Sequence, residues 1–145
     1  MWQDLNSSVR RVAGQALGKC GCGQAVHEEV VLRLQSRHWQ DRVEALKLIG
    51  YLGLLKSIFL TFSKDFHSGV LTAKLTQPYL KCFKDDHVSV RDYACRTTYK
   101  LQLRDETIRN LLLECIEFDP VEKVRYSAIE GNDLEILCQE NFFSV

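Results

Sequence analysis

A short pattern that recurs along the chain constrains its fold more than any other feature of the sequence. An acidic or polar residue is followed five residues later by Val-Arg-x-x-Ala, and the four copies begin at Asp4, Ser36, Asp85 and Asp119. The second copy is the weakest, because a serine replaces the acid and Asp41 replaces the valine. A pattern repeated at similar spacing is typical of proteins that stack similar units, which bind partners along a surface and seldom carry a catalytic pocket.

Each copy has the composition of a helix N-terminus. Asp119, Pro120 and Glu122 combine a capping acid, a proline suited to the first helical position and a second carboxylate. Asp85 or Asp86 is the corresponding candidate cap in the third copy, and Asp4 or Asn6 in the first. The valine and the alanine of the pattern are four residues apart and share one helix face, so we expect both to pack inward.

A second amphipathic helix is predicted after these helices. Residues 24–35 and 105–118 carry apolar side chains at helical spacing, and Asp105 is a candidate cap for the latter. Residues 70–83 are similar, but Pro78 should end or kink that helix. The sequence has only two prolines and no segment with the period of two that marks strands, which predicts an all-α protein.

The pattern divides the chain into helix-pair units, which we place at about residues 1–35, 36–84, 85–118 and 119–145. In the last unit, Gly131 and Asn132 predict the end of the first helix, and 133–140 a truncated second one. The second unit is longer by roughly fifteen residues, which we assign to 51–69. Neither end resembles a polar capping unit, so we expect a segment of a longer array.

Charge and composition argue against several classes of partner and location. Nineteen basic residues balance nineteen acidic ones, so we expect no nucleic-acid partner. The apolar stretch 46–62 is shorter than a membrane span and is interrupted by Lys47 and Lys56, so no membrane span is predicted. The six cysteines are scattered and no signal peptide follows Met1. We therefore expect reduced thiols in a cytoplasmic protein, with a nuclear location left open.

Motifs for metal, cofactor or nucleophilic chemistry are missing from the sequence. Cys20 and Cys22 form the only close cysteine pair, and zinc sites usually need wider spacing and a second ligand pair. Gly18, Gly21 and Gly23 lie between two predicted helices, whereas a nucleotide-binding glycine loop follows a strand. We therefore expect no catalytic residue, no metal site, no cofactor and no enzymatic activity.

The helix-pair unit of roughly 30 residues that opens with Asp-x-x-x-x-Val-Arg-x-x-Ala resembles the HEAT repeat. It is most similar to the short form found in bilin-lyase-like proteins, and the resemblance covers nearly the whole chain. It implies a right-handed, armadillo-like α-solenoid of antiparallel helix pairs, with about three and a half repeats. The implied function is a non-catalytic protein–protein interaction or scaffolding module. The alternative is a bilin-lyase-like enzyme, or enzyme accessory, that uses the concave groove.

Deoxyhypusine hydroxylase, a diiron enzyme of the same repeat class, carries several His-Glu pairs. This chain has a single such pair, His27 and Glu28. Because a diiron site needs several converging ligands, that activity is disfavoured.

The resemblance also implies a structural row in which each arginine contacts the acid of its own unit or of the adjacent unit. The expected pairs are Arg10–Asp4, Arg91–Asp85 and Arg125–Asp119, whereas Arg42 faces Ser36 and lacks a matching acid. A planar guanidinium suits bidentate pairing with a carboxylate. We therefore interpret these arginines as structural.

Residues that contact a partner should project from the second helices, which line the concave face of HEAT solenoids. The candidates are His27, Arg33, Arg109, Asn110 and Glu114. The expected partner is a protein of unknown identity. Trp39, Tyr51 and Phe62 are further candidates as interface anchors, but their helical spacing favours a place in the core.

Overall fold

The computed structural model describes residues 6, 8–9, 12–13, 16, 23–52 and 68–142, with the backbone alone at 23, 68–73 and 133–142. Within these residues the chain forms α-helices, one short 3-10 helix at Cys82–Lys84 and no strand. The helices are α1 (Gly23–Leu34), α2 (Trp39–Leu52), α3 (Ser68–Lys81), α4 (Val88–Leu101), α5 (Glu106–Phe118) and α6 (Glu122–Phe142). The all-α prediction is confirmed for this part of the chain.

Some of the sequence predictions lie outside the described residues. They include the pair Arg10–Asp4, the anchor candidate Phe62 and all of the long segment 51–69 except its ends. Among the helices that are described, none is long and apolar enough to cross a membrane.

The helices that begin with the sequence pattern pack against one another. α4 packs against both α2 and α6, while α1 packs against α2 and α3, and α5 packs against α6. The valine and alanine of the third and fourth copies are completely buried; these residues are Val90, Ala94, Val124 and Ala128. The inward packing predicted for these two copies is confirmed, whereas Val9 in the first copy is 45% exposed.

The helix caps agree with the sequence prediction for α5 and differ for α4. Asp105 caps α5, since its side chain accepts hydrogen bonds from the N–H groups of Thr107 and Ile108 at 2.9 and 3.3 Å. The cap of α4 is His87, whose Nδ1 accepts from the N–H of Ser89 at 3.2 Å. The Trp39 ring stacks on this imidazole with centroids 3.9 Å apart, so Trp39 is partly buried at the α2–α4 contact and packs against the core.

Pro78 does not end its helix. α3 continues to Lys81 and then tightens into the 3-10 helix. A proline removes one helical hydrogen bond, and the tertiary contacts of the next residue compensate for it. Tyr79 is completely buried, its hydroxyl donates to the carbonyl oxygen of Ala94 at 3.1 Å, and it lies 2.6 Å from Oγ1 of Thr98.

The predicted helix end at Gly131 and Asn132 is wrong, because α6 is one continuous helix from Glu122 to Phe142. A glycine occupies position 131 because α6 packs closely against its neighbours there. A Cβ atom at Gly131 would lie 3.3 Å from Cδ2 of Leu112 and 3.5 Å from the carbonyl oxygen of Cys95. The glycine therefore lets α6 approach α4 and α5, and the short second helix predicted at 133–140 is the continuation of α6.

We expect the substitution Gly131→Leu to lower the free energy of unfolding by about 1–3 kcal/mol, because the larger side chain forces α6 away from its neighbours. Urea unfolding followed by circular dichroism measures the change. Glu130→Leu is the matched control, since Glu130 is exposed on the same helix turn. Equal stability of the two variants would contradict the close approach at Gly131.

Candidate binding clefts along an arginine–aspartate row

The same hydrogen bonds occur in the three turns that precede α2, α4 and α6. The first residue of each turn accepts from the main-chain N–H two residues later, at 3.2, 2.9 and 2.9 Å; these residues are Ser36, Asp85 and Asp119. The carbonyl oxygen of the same residue accepts from Nη1 of an arginine six residues later, at 2.8, 2.8 and 2.7 Å; these are Arg42, Arg91 and Arg125. A serine hydroxyl accepts hydrogen bonds as a carboxylate does, so the second copy keeps this local structure.

Two of these arginines also contact the carboxylate of the next turn. Nη2 of Arg42 donates to Oδ1 of Asp85 at 2.9 Å, and Nε of Arg42 lies 2.7 Å from Oδ2. Nε and Nη2 of Arg91 donate to the two carboxylate oxygens of Asp119, at 2.7 and 3.3 Å. The exposed fractions of these four side chains lie between 4% and 16%, so water competes little with the contacts. Each of these bidentate contacts between a guanidinium and a carboxylate, which we call a fork, therefore links two consecutive turns.

These contacts correct the arginine pairs expected from the sequence. Arg91 bonds to the main chain of Asp85 and finds its carboxylate partner one turn later, and Arg42, expected to lack an acid, binds Asp85. Among the described residues, the guanidinium of Arg125 bonds only to the main-chain oxygen of Asp119. The reason is geometric. The Nη1 atom of each arginine is occupied by the carbonyl oxygen of its own turn. The Nε–Nη2 edge is therefore left to contact the carboxylate of the next turn.

Two adjoining surface clefts follow this row and share Lys84, Asp85 and Asp86. The first has a volume of about 440 Å³, and its other lining residues are Leu34, Gln35, Ser36, Arg42, Pro78, Lys81 and Cys82. The second has a volume of about 360 Å³, and its other lining residues are Phe83, Arg91, Leu111, Glu114, Cys115, Phe118, Asp119 and Pro120. Each cleft thus combines one turn, the arginine of that turn and the end of the second helix after it, which is α3 in the first cleft and α5 in the second.

The rim of the second cleft carries charges of both signs and one large apolar side chain. Nζ of Lys84 lies 3.1 Å from Oε1 of Glu114, and both side chains are about half exposed or more. Phe118 is 71% exposed. The rim therefore places an exposed aromatic ring beside solvated charges of both signs.

The buried thiol of Cys82, which lines the first cleft, is poorly suited to nucleophilic attack. Burial raises the pKa of the Cys82 thiol to about 12, with a further increase from Asp85 and an opposing effect of Arg42. The thiol is therefore protonated at neutral pH, and a thiol is a much weaker nucleophile than a thiolate. In the described part of the chain, no group of three or more His, Cys, Asp or Glu residues is placed to hold a metal ion.

Of the five predicted partner-contacting residues, only Glu114 lines either cleft. Arg109 and Asn110 are exposed on α5, outside both clefts. Arg33 lies on α1, where its Nε is 2.9 Å from Oε1 of Glu29. His27 lies on the same helix, and burial lowers its pKa despite the opposing charge of Glu28, so the neutral imidazole is favoured at neutral pH.

The sequence prediction missed a buried polar contact between α4 and α6. Asp92 is completely buried and accepts a hydrogen bond from Oγ of Ser127 at 2.5 Å. Its Oδ2 lies 3.1 Å from Nε of Arg96 and 3.2 Å from Nζ of Lys123, so two cations compensate the buried charge. The signal in the sequence was a carboxylate immediately after the arginine of the pattern, where the second copy has Val43.

No family model matches the sequence, and no solved structure matches the fold. The function proposed below therefore depends on the geometry of the chain.

We expect Arg91→Ala to lower the free energy of unfolding by about 2–4 kcal/mol, because it leaves the carboxylate of Asp119 nearly buried without its partner. Arg91→Lys should also destabilise, since an ammonium group cannot replace the two-pronged contact. Urea unfolding measures both effects, with Arg104→Ala as the control at an exposed arginine. The link between the turns would be refuted if Arg91→Ala and Arg104→Ala unfolded at the same urea concentration.

We expect Cys82 to resist alkylation in the folded protein. With a pKa of about 12 and only 2% exposure, it should react with iodoacetamide at pH 8 about 100-fold more slowly, or slower still, than in urea. Peptide mass spectrometry after timed alkylation gives both rates. Similar rates in the folded and unfolded chain would show that the thiol is accessible and ionised.

Proposed function

We propose that the chain forms a right-handed, HEAT-like α-solenoid and acts as a non-catalytic module that binds or scaffolds proteins. The observation that supports this proposal is the set of equivalent hydrogen bonds in three successive turns, joined by Arg42–Asp85 and Arg91–Asp119. Units that are joined in one way present equivalent surfaces side by side, and extended partners can bind across several of them.

The two clefts are the binding surface that we assign to this function. They adjoin along Lys84, Asp85 and Asp86, so one extended segment can occupy both. Phe118 supplies an apolar anchor, while Lys84 and Glu114 supply charges of both signs. A protein segment with an apolar side chain flanked by polar residues matches this surface, and a polyanion such as nucleic acid does not.

The non-catalytic part of the proposal is supported by the chemistry of the same clefts. The guanidinium groups of Arg42 and Arg91 are neutralised by neighbouring carboxylates, so neither is available to stabilise charge in a reaction. The thiol of Cys82 is held in its protonated form. Recognition therefore depends on shape and on the side chains of the rim.

We expect a cleft variant carrying Glu114→Arg and Phe118→Ala to lose binding partners that the wild-type chain retains. Proximity labelling in cells identifies proteins near each form, and binding of purified candidates then gives the affinities. We expect at least about tenfold weaker binding for the cleft variant. The matched control is Arg104→Glu, which reverses the charge of an exposed arginine outside the clefts.

Two results would contradict the proposed function. One is the same set of labelled proteins, with the same affinities, for the wild type, the cleft variant and the control. The other is a change in the absorbance spectrum when the purified chain is incubated with a tetrapyrrole, which would favour the bilin-lyase-like alternative.

A further inference from the structure

The outer face of α6 carries exposed apolar residues at positions that are buried in α4. Counted from the arginine of the pattern, Tyr126 and Ile129 of α6 correspond to Asp92 and Cys95 of α4. Asp92 and Cys95 are completely buried, whereas Tyr126 and Ile129 are 62% and 37% exposed.

The buried residues of α4 show which helix covers these two positions. Asp92 bonds to Ser127 of α6, and the carbonyl oxygen of Cys95 lies next to Gly131 of α6. These positions of α4 therefore face the following helix. The corresponding positions of α6 have an apolar side chain each and face solvent.

The hydrogen bonds of Arg125 independently indicate that this face of α6 lacks a neighbour. Its Nη1 is held by the carbonyl oxygen of Asp119 at 2.7 Å, as the Nη1 atoms of Arg42 and Arg91 are held by their own turns. The latter two arginines each use their remaining edge to bind an aspartate of the next turn. In the described part of the chain, no carboxylate occupies that edge of Arg125.

We propose that the outer face of α6, formed by Arg125, Tyr126 and Ile129, docks a helix of a partner protein whose preceding turn presents a carboxylate to Arg125. Tyr126 and Ile129 are three residues apart and form part of a ridge that fits the groove of a second helix. The carboxylate completes the guanidinium contact as Asp85 and Asp119 do within the chain.

The occupant that we assign is a helix of a different protein, because the acids of the corresponding turns in the described part of the chain are already in use. A second copy would have to contact Arg125 through Asp4, which lies outside the described residues. Asp85 is bound by Arg42 and Asp119 by Arg91, and the turn before α2 begins with Ser36 instead of an acid. In the described part of the chain, Arg125 can therefore accept a carboxylate partner, but no turn has a carboxylate left to bind the Arg125 of another copy. The inference concerns α6 and does not depend on the clefts, so either can fail while the other stands.

The test uses a displayed library of two-helix hairpins, randomised in the turn before the first helix and along the face of that helix. Hairpins are selected for binding to the full wild-type chain and counter-selected against Arg125→Glu. We expect the selected hairpins to carry aspartate or glutamate in the turn. They should bind Arg125→Ala and Tyr126→Ser about 10- to 100-fold more weakly than the wild type.

Four controls separate docking from folding. Arg104→Ala should leave hairpin binding unchanged, and the cleft variant Glu114→Arg with Phe118→Ala should do the same. Arg125→Lys keeps the charge but loses the fork, so it should also bind more weakly. A hairpin with its turn acid changed to arginine should regain binding to Arg125→Glu, which loss of folding in that variant could not produce.

The proposal is overturned if no selected hairpin depends on Arg125, or if the selected turns carry no acid. It is also overturned if the wild-type chain forms a dimer in light scattering that Tyr126→Ser abolishes, since a second copy would then occupy the face.

Discussion

The arginine fork shared between two turns is the contact on which the arrangement of the described helices depends. One edge of the guanidinium is held by a carbonyl oxygen in its own turn, so the other edge has a fixed direction. Arg42 and Arg91 use that edge to bind the carboxylates of Asp85 and Asp119. Because each carboxylate also accepts a main-chain N–H of its own turn, the fork sets the start of the next helix as well as its distance.

Packing between α4 and α6 depends on two further residues, one with no side chain and one with a buried charge. Gly131 allows the helices to approach closely, and Asp92 places a compensated negative charge in the contact. A buried carboxylate contributes little net stability by itself, but removing its partners is costly. Such contacts specify which helix faces meet, whereas the valines and alanines of the pattern supply the buried apolar surface.

The helical class and several helix starts could be predicted because they depend on local chemistry. Asp105 caps α5 as its sequence context indicates, and Val90 and Ala94 are buried as their spacing indicates. The end of α6 and the effect of Pro78 could not be predicted in the same way. Gly131 has the composition of a helix stop but serves a close approach to α4 and α5, and the contacts of Tyr79 carry α3 past the proline. Of the candidate partner-contacting residues, Glu114 alone lines a cleft, because a cleft forms from three separate segments of chain.

The sequence by itself determined that the described part of the chain is helical, where most of those helices begin and which arginines make structural contacts. Those properties depend on residues within one or two helical turns of each other. Only the tertiary structure decided which carboxylate each arginine binds, since Asp85 and Asp119 offer their carbonyl oxygens to one arginine and their carboxylates to another. It also decided that Asp92 is buried while Tyr126 is exposed. The physical reason is that a helix face acquires its role from the neighbour that covers it, and the local pattern is the same whether or not a neighbour is present.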